Sequence, residues 1–288
     1  MLKATEEYPA HEKALANRAH AHNILGNHED AWKAIESARG ATPNDLHVAA
    51  AYVAYAPAGR GTDLLEAELG AAMSDPQVLM AFAERCLAAD EHEQALHYIE
   101  RMKGAGKETH DSLFIEARAI ACPYLPDDPR DSVDDPRARA GIADAVALLE
   151  RAAQVAEDLG DLRTALSIRL AEVDIGARLN DENRTERSLE EAARLATGHT
   201  RALAGINLMR SQLALAQGRP ERAMDYAVLA RNQDDHLDAA MLCAVALLNR
   251  NQGSDRENAR RELRKLLPKL QGPQLEQALN IMVTDLLA

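Results

Sequence analysis

Gly26-Asn-His-Glu-Asp-Ala31-Trp-Lys-Ala-Ile35-Glu-Ser-Ala38 is the stretch whose reading decides the fold. The glycine lets one helix stop. The small residue five positions later lets the next helix pack closely, and Ile35 and Ala38 continue a buried stripe four and seven positions beyond it. The pattern returns in altered form as Gly218-Arg-Pro-Glu-Arg-Ala223-Met-Asp-Tyr-Ala227-Val-Leu-Ala230, and again as Asp90-Glu-His-Glu-Gln-Ala95-Leu-His-Tyr-Ile99. A repeated helix-turn-helix follows, in which each helix depends on its neighbours for burial.

Helical periodicity and breakers divide the chain into about fifteen helices: 3–25, 28–40, 44–56, 62–73, 76–89, 92–104, 109–121, 138–159, 161–179, 182–197, 200–217, 220–233, 236–250, 254–270 and 273–287. Taken in pairs they make seven hairpins and one leftover C-terminal helix. Pro43 and Pro76 stand 33 residues apart, each where a new hairpin begins, and Ala31 and Ala95 stand 64 apart, two units of 32. Two places depart from the pattern. Leu64 occupies the small-residue position of the second unit, beside the loop Pro57-Ala-Gly-Arg-Gly61. Gly160-Asp-Leu-Arg-Thr-Ala165 also matches the turn, which would pair 138–159 with 161–179 and leave 182–197 alone; the preferred reading gives every helix a partner.

On these residues the chain resembles a tetratricopeptide-repeat array, whose unit is about 34 residues. Leu15, Ala19, Ala31, Ile35, Ala38 and Pro43 match family positions in the first unit, and Ala223, Ala227 and Ala230 match in the last third. The likeness is good over residues 12–45, 76–109 and 204–237 and degenerate elsewhere. It implies an all-α fold, an α-solenoid of antiparallel helix pairs wound as a right-handed superhelix, with a terminal capping helix. The expected organisation is a single domain over residues 1–288 with an inserted loop at 122–137.

Composition agrees and excludes several functions. Hydrophobic residues make up 47% of the chain but aromatic ones only 3%, so small and medium side chains must fill the space between helices. A net charge of −13 repels a phosphate backbone, and no Lys/Arg cluster interleaved with aromatics offsets it, so nucleic acid is not the expected partner. Cys86, Cys122 and Cys243 are far apart and form no CxxC pair, which suggests neither disulfides nor a zinc site and fits a reducing compartment. No apolar run reaches the ~20 residues that span a bilayer, and Met1-Leu-Lys-Ala-Thr-Glu-Glu has no secretory core. A cytoplasmic location is expected, although a domain excised from a secreted or periplasmic parent would read the same way.

Chemistry-bearing motifs are sparse. The ten histidines include no HExxH, and His20 and His22 leave a helix on different sides. No phosphate-binding glycine loop, dinucleotide fingerprint or nucleophile elbow is present. The expectation is therefore no enzyme, no catalytic residue, no cofactor and no metal. The segment Cys122 to Pro136, with four prolines and five aspartates, cannot continue a helix; it reads as an acidic solvated insertion, because its aspartates follow no calcium-loop spacing.

The resemblance implies that the first helix of each pair lines a concave groove. Mapping that surface selects Lys13, Asn17, His20, Val53, Glu84, Met209, Gln212, Leu215, Met241, Val245 and Leu248 as partner-binding residues. The surface is largely apolar, with Glu84 opposing any anion. The function expected is a scaffold or adaptor that binds a partner helix or peptide. The alternatives are a regulatory or sensory arm of a larger enzyme or export machine, and a receptor for a small molecule or oligosaccharide.

Overall fold

The computed structural model describes residues 12–106, 108–126, 133, 135–234 and 237–287. Among them are fifteen α-helices and no strand: α1 Glu12–Ile24, α2 His28–Ala41, α3 Leu46–Tyr55, α4 Thr62–Leu69, α5 Pro76–Ala88, α6 His92–Gly104, α7 His110–Ala121, α8 Pro136–Asp158, α9 Leu162–Arg178, α10 Glu182–Leu195, α11 Thr200–Ala216, α12 Pro220–Gln233, α13 Leu237–Arg250, α14 Asp255–Leu266 and α15 Gly272–Leu287. The chain packs as two compact units, one ending at Thr164 and the other running on from Ala165.

One turn, used five times, makes the hairpins. Its signature is a residue with positive φ: Gly26 (75°), Asp90 (59°), Gly160 (75°), Asn180 (53°) and Gly218 (67°). The next residue donates its backbone N–H to the carbonyl five residues back, Asn27 to His22, Glu91 to Cys86, Asp161 to Ala156, Asp181 to Gly176 and Arg219 to Ala214, over 2.8–2.9 Å. Those bonds satisfy carbonyls that the ending helix leaves without partners. Four residues beyond each donor lies a fully or nearly fully buried side chain, Ala31, Ala95, Ala165, Thr185 or Ala223. The sequence pattern is thus a hydrogen-bonded motif, and the turns on either side of α9 share it. At the Gly160 stretch the preferred pairing holds: α8 packs on α7, and α9 meets α10 through Gly176 and Thr185.

In the first unit α1 packs on α2, α5 on α6 and α7 on α8, and the first helices also pack on one another in the order α1, α3, α5, α7. The core running from Leu15 to Ala119 has Phe82, Ile35, Leu65 and Ile99 as its largest fully buried side chains. Each such side chain contributes about 1.5–3 kcal/mol of burial. Phe82 stacks on Tyr98 with ring centroids 4.9 Å apart. The α3–α4 hairpin opens differently. Its second helix ends at Leu69 and continues as a 3₁₀ turn, Gly70–Ser74, and Leu65 is buried while Leu64 stays 52% exposed, so the close-contact position falls one residue later than the sequence pattern places it.

In the second unit α11 packs on α12 and α13 on α14, and the first helices α11, α13 and α15 pack in succession. Its core is a series of small clusters, including Val173, Leu189 and Ile206, then Met241, Leu266 and Ala278. A charged pair is buried with them: Arg169 Nη1 donates to both carboxylate oxygens of Glu172 at 3.0 Å, and Ser188 Oγ donates to the same carboxylate at 3.2 Å.

The expected insertion at 122–137 is described only in part, residues 127–132 and 134 lying outside the described residues. Cys122–Tyr124 form a 3₁₀ turn after α7, and Tyr124 lays its ring against Gly141 of α8, within 3.1 Å of where a Cβ would stand. Helix α8 begins two residues before its expected start, with Asp135 accepting from the N–H of Arg137 at 2.9 Å.

Candidate functional site

The groove residues chosen from sequence fare differently. Val53 and Met241 are core side chains, 0% and 5% exposed. First helices of successive pairs pack directly on one another, which removes those two positions from any groove. Leu215 is half-buried against Ala214, Ala223 and Ala246. The side chain of Lys13 lies outside the described residues. Asn17 and His20 are exposed on α1, where a ring nitrogen of His20 is 2.9 Å from the Tyr55 hydroxyl. Glu84 lies on α5 in the first unit; Met209, Gln212, Val245 and Leu248 line cavities of the second.

Met209 and Gln212 come from consecutive turns of α11 and border a cavity of about 450 Å³ whose opposite wall is α9. Its floor is Leu170, Val173, Leu189 and Leu213, and Asp174, Glu182 and Gln217 supply polar edges. The carboxylates are partnered within the unit, Asp174 by Arg178 at 3.3 Å and Glu182 by Arg219 at 3.3 Å. Met209 is 39% exposed, an unbranched thioether over an apolar floor, and such a side chain adapts its shape to what it meets.

Val245 and Leu248 lie on α13 and border a cleft of about 690 Å³ closed by α14 and α15. Ile281 and Pro273 complete the apolar side, and Asn249, Gln277, Asn280 and Thr284 form the polar one. At its edge Asp285 is nearly buried and accepts from Arg260 Nε at 2.6 Å, with Arg256 Nε at 3.7 Å. Sequence reasoning found only the α13 side, because it treated α15 as a cap. The signal was present: Pro273, Gln277, Asn280 and Thr284 recur at three- and four-residue spacing, the mark of one helix face.

In the first unit, Glu84 borders a cleft of about 390 Å³ at the C-terminal ends of α3 and α5. It has solvent contact yet sits in a concavity, where desolvation and the charge of Asp111 push its carboxyl above the usual carboxylate range and Arg118 opposes them. The loop Pro57-Ala-Gly-Arg-Gly61 forms the cleft's rim, pinned by Arg85, whose guanidinium donates to the carbonyls of Ala56 (2.7 Å), Pro57 (2.7 Å) and Arg60 (2.8 Å).

The cysteines do not assemble with other reactive groups. Burial, then the charge of Glu91, pushes the Cys86 thiol up to about 11, burial raises that of Cys243, and Cys122 is exposed. Among the described residues no group of three His, Cys, Asp or Glu side chains could hold a metal ion, and no helix is long and apolar enough to cross a membrane.

No protein-family model matches the chain, and no curated protein does. Among solved structures it is similar to a crystal structure described as YrrB, a TPR protein with an unusual peptide-binding site, at 14% identity and a TM-score of 0.29, with 98% of this chain and 96% of that chain covered. At that TM-score the likeness adds nothing to the fold, which rests on the turns and helix packing described above.

Proposed function

We propose that this chain is a binding scaffold whose second unit takes an apolar segment of a partner protein against α11 and α13. The observation that carries the reading is that Met209, Gln212, Val245 and Leu248, selected by position on first helices, all border cavities with apolar floors. A partner helix or extended segment that places aliphatic side chains in them would gain about 25 cal/mol per Å² of apolar area removed from water. The test compares partner affinity of the parent with that of Met209→Ser and Val245→Ser, both at positions with solvent exposure, checking helicity in parallel. Each variant should weaken binding about tenfold, as hot-spot truncations do. Folded variants that bind like the parent would refute the reading.

A second reading is favoured by one observation. The cleft beside α15 falls inside the ~300–1,000 Å³ range of small-molecule sites and brings four amide or hydroxyl side chains to one wall. If Gln277→Ala and Asn280→Ala abolish binding of a small ligand while partner capture is unchanged, the receptor reading replaces the scaffold reading for that cleft.

A further inference from the structure

The chain's charge is unevenly spread. Residues 1–164 carry 16 Lys/Arg against 29 Asp/Glu, the whole of the −13, whereas residues 165–288 carry 17 of each. Within the acidic part, the cleft beside Glu84 has three properties that favour a cation. First, its walls are small: Ala54, Ala58, Ala81 and Ala88 leave a slot of about 390 Å³ that no side chain of the first unit fills. Second, it lies at the C-terminal ends of two helices, where last-turn carbonyls concentrate partial negative charge. The chain already uses that field once, by laying the Arg85 guanidinium on three carbonyls of the rim. Third, two carboxylates of the lining, Glu84 and Glu91, stand against one uncompensated cation, Arg85, since Arg60 is paired with Glu68, and Glu84 takes no hydrogen bond or ion pair among the described residues.

We propose that this cleft receives a lysine or arginine side chain from a basic segment of a partner protein, the aliphatic stem lying along the alanines and Glu84 accepting the charged head. A long cationic side chain suits the slot because its methylenes cover apolar surface while its head stays at the polar mouth. Partial desolvation of Glu84, visible in its raised carboxyl pKa, strengthens a charge-assisted bond there relative to one on the open surface. The proposal is independent of the apolar reading for the second unit.

The experiment uses the full chain and a fluorescein-labelled dodecapeptide of Ala-Lys-Ala-Leu repeated three times, read by fluorescence polarisation, beside the same peptide with norleucine in place of lysine. Glu84→Gln should weaken binding of the lysine peptide about tenfold. Glu100→Gln, an exposed carboxylate on α6, should leave it unchanged. The norleucine peptide should not distinguish parent from Glu84→Gln. Equal weakening by Glu100→Gln would assign the effect to diffuse surface charge and overturn the proposal, as would failure of the parent to bind the lysine peptide or an unaltered affinity in folded Glu84→Gln.

Discussion

Gly176 and Thr185 show how tightly the repeated hairpin constrains single residues. In four of the five shared turns the buried side chain that begins the second helix is alanine, and the ending helix can keep a Cβ opposite it. In the α9–α10 hairpin the residue is Thr185, whose Oγ1 donates to the carbonyl of Asp181 at 2.8 Å, and the missing bulk is recovered on the other helix as glycine. A Cβ added to Gly176 would lie 2.6 Å from Thr185 Oγ1 and 3.1 Å from its backbone nitrogen. Gly176→Ala should therefore lower stability by about 1–3 kcal/mol through overpacking, and Thr185→Ala in the same chain should recover only part, because the backbone contact remains. Urea midpoints for the single and double variants check this; an unchanged midpoint for Gly176→Ala would contradict the close contact. Ala31, Ala95 and Ala223 were legible in the sequence because the turn residue and the small residue keep fixed spacing. The Gly176–Thr185 exchange was not, since a small residue on one helix is visible as a contact only when its opposite number is known.

Among the elements, two of the turns that depart from the shared hairpin are held by side chains instead. Between α13 and α14, Asn251 and Gly253 have positive φ and Ser254 makes no side-chain cap. Asp255 takes over, accepting from Arg250 Nε and Nη2 at 2.8 Å and from the N–H of Gln252 at 3.0 Å. The Arg250 hydrogen bonds, then the Gln252 amide, pull its carboxyl down to about 2. A depressed carboxyl pKa contributes stability that is complete above the unfolded value near ~3.9 and is lost as pH falls through the folded value. Arg250→Gln should then be less stable than the parent at neutral pH, with the gap between their melting temperatures narrowing between about pH 4 and pH 2. A gap that stays constant through that window would contradict the clamp. The Arg85 contacts with the Pro57–Gly61 loop act alike. Arg85→Ala leaves three carbonyls without that donor and should cost about 1–3 kcal/mol. Thermal melts check it; an unaltered melting temperature would show the loop to be held by other means. Among the described residues most helices were readable from periodicity and breakers nearly to their ends; residues 3–11 of the expected first helix lie outside them, and α14 ends at Leu266, where a 3₁₀ turn follows. Helix α4 was read too long, because the apolar run through Met73 stays in phase while the backbone tightens to a 3₁₀ turn after Leu69.

Across the molecule, charge is divided unevenly between the two parts of the chain. Residues 1–164 hold all of the net negative charge, and the cavities bordered by Met209 and Val245 lie in the electrically neutral remainder. Binding through those cavities should change little between low and moderate salt, since the rim carboxylates Asp174, Glu182 and Asp285 already have partners and only Glu276 lacks one among the described residues, whereas binding of a basic segment at Glu84 should weaken as screening increases. Affinity titrations of each kind of ligand across that salt range would separate them, and a steep salt dependence for the second unit would contradict apolar docking. The groove was only partly legible for a structural reason. A first helix presents one side to its neighbours and another to solvent, and its sequence shows both as apolar, so Met241 and Val245 look equivalent until packing buries one. The most direct test of the scaffold reading is site-specific photo-crosslinking to a partner in the intact chain. With benzoylphenylalanine in place of Met209 or Val245, the account predicts partner adducts from both positions and none from the exposed positions Glu190 or Glu257; adducts from the latter pair alone would contradict it.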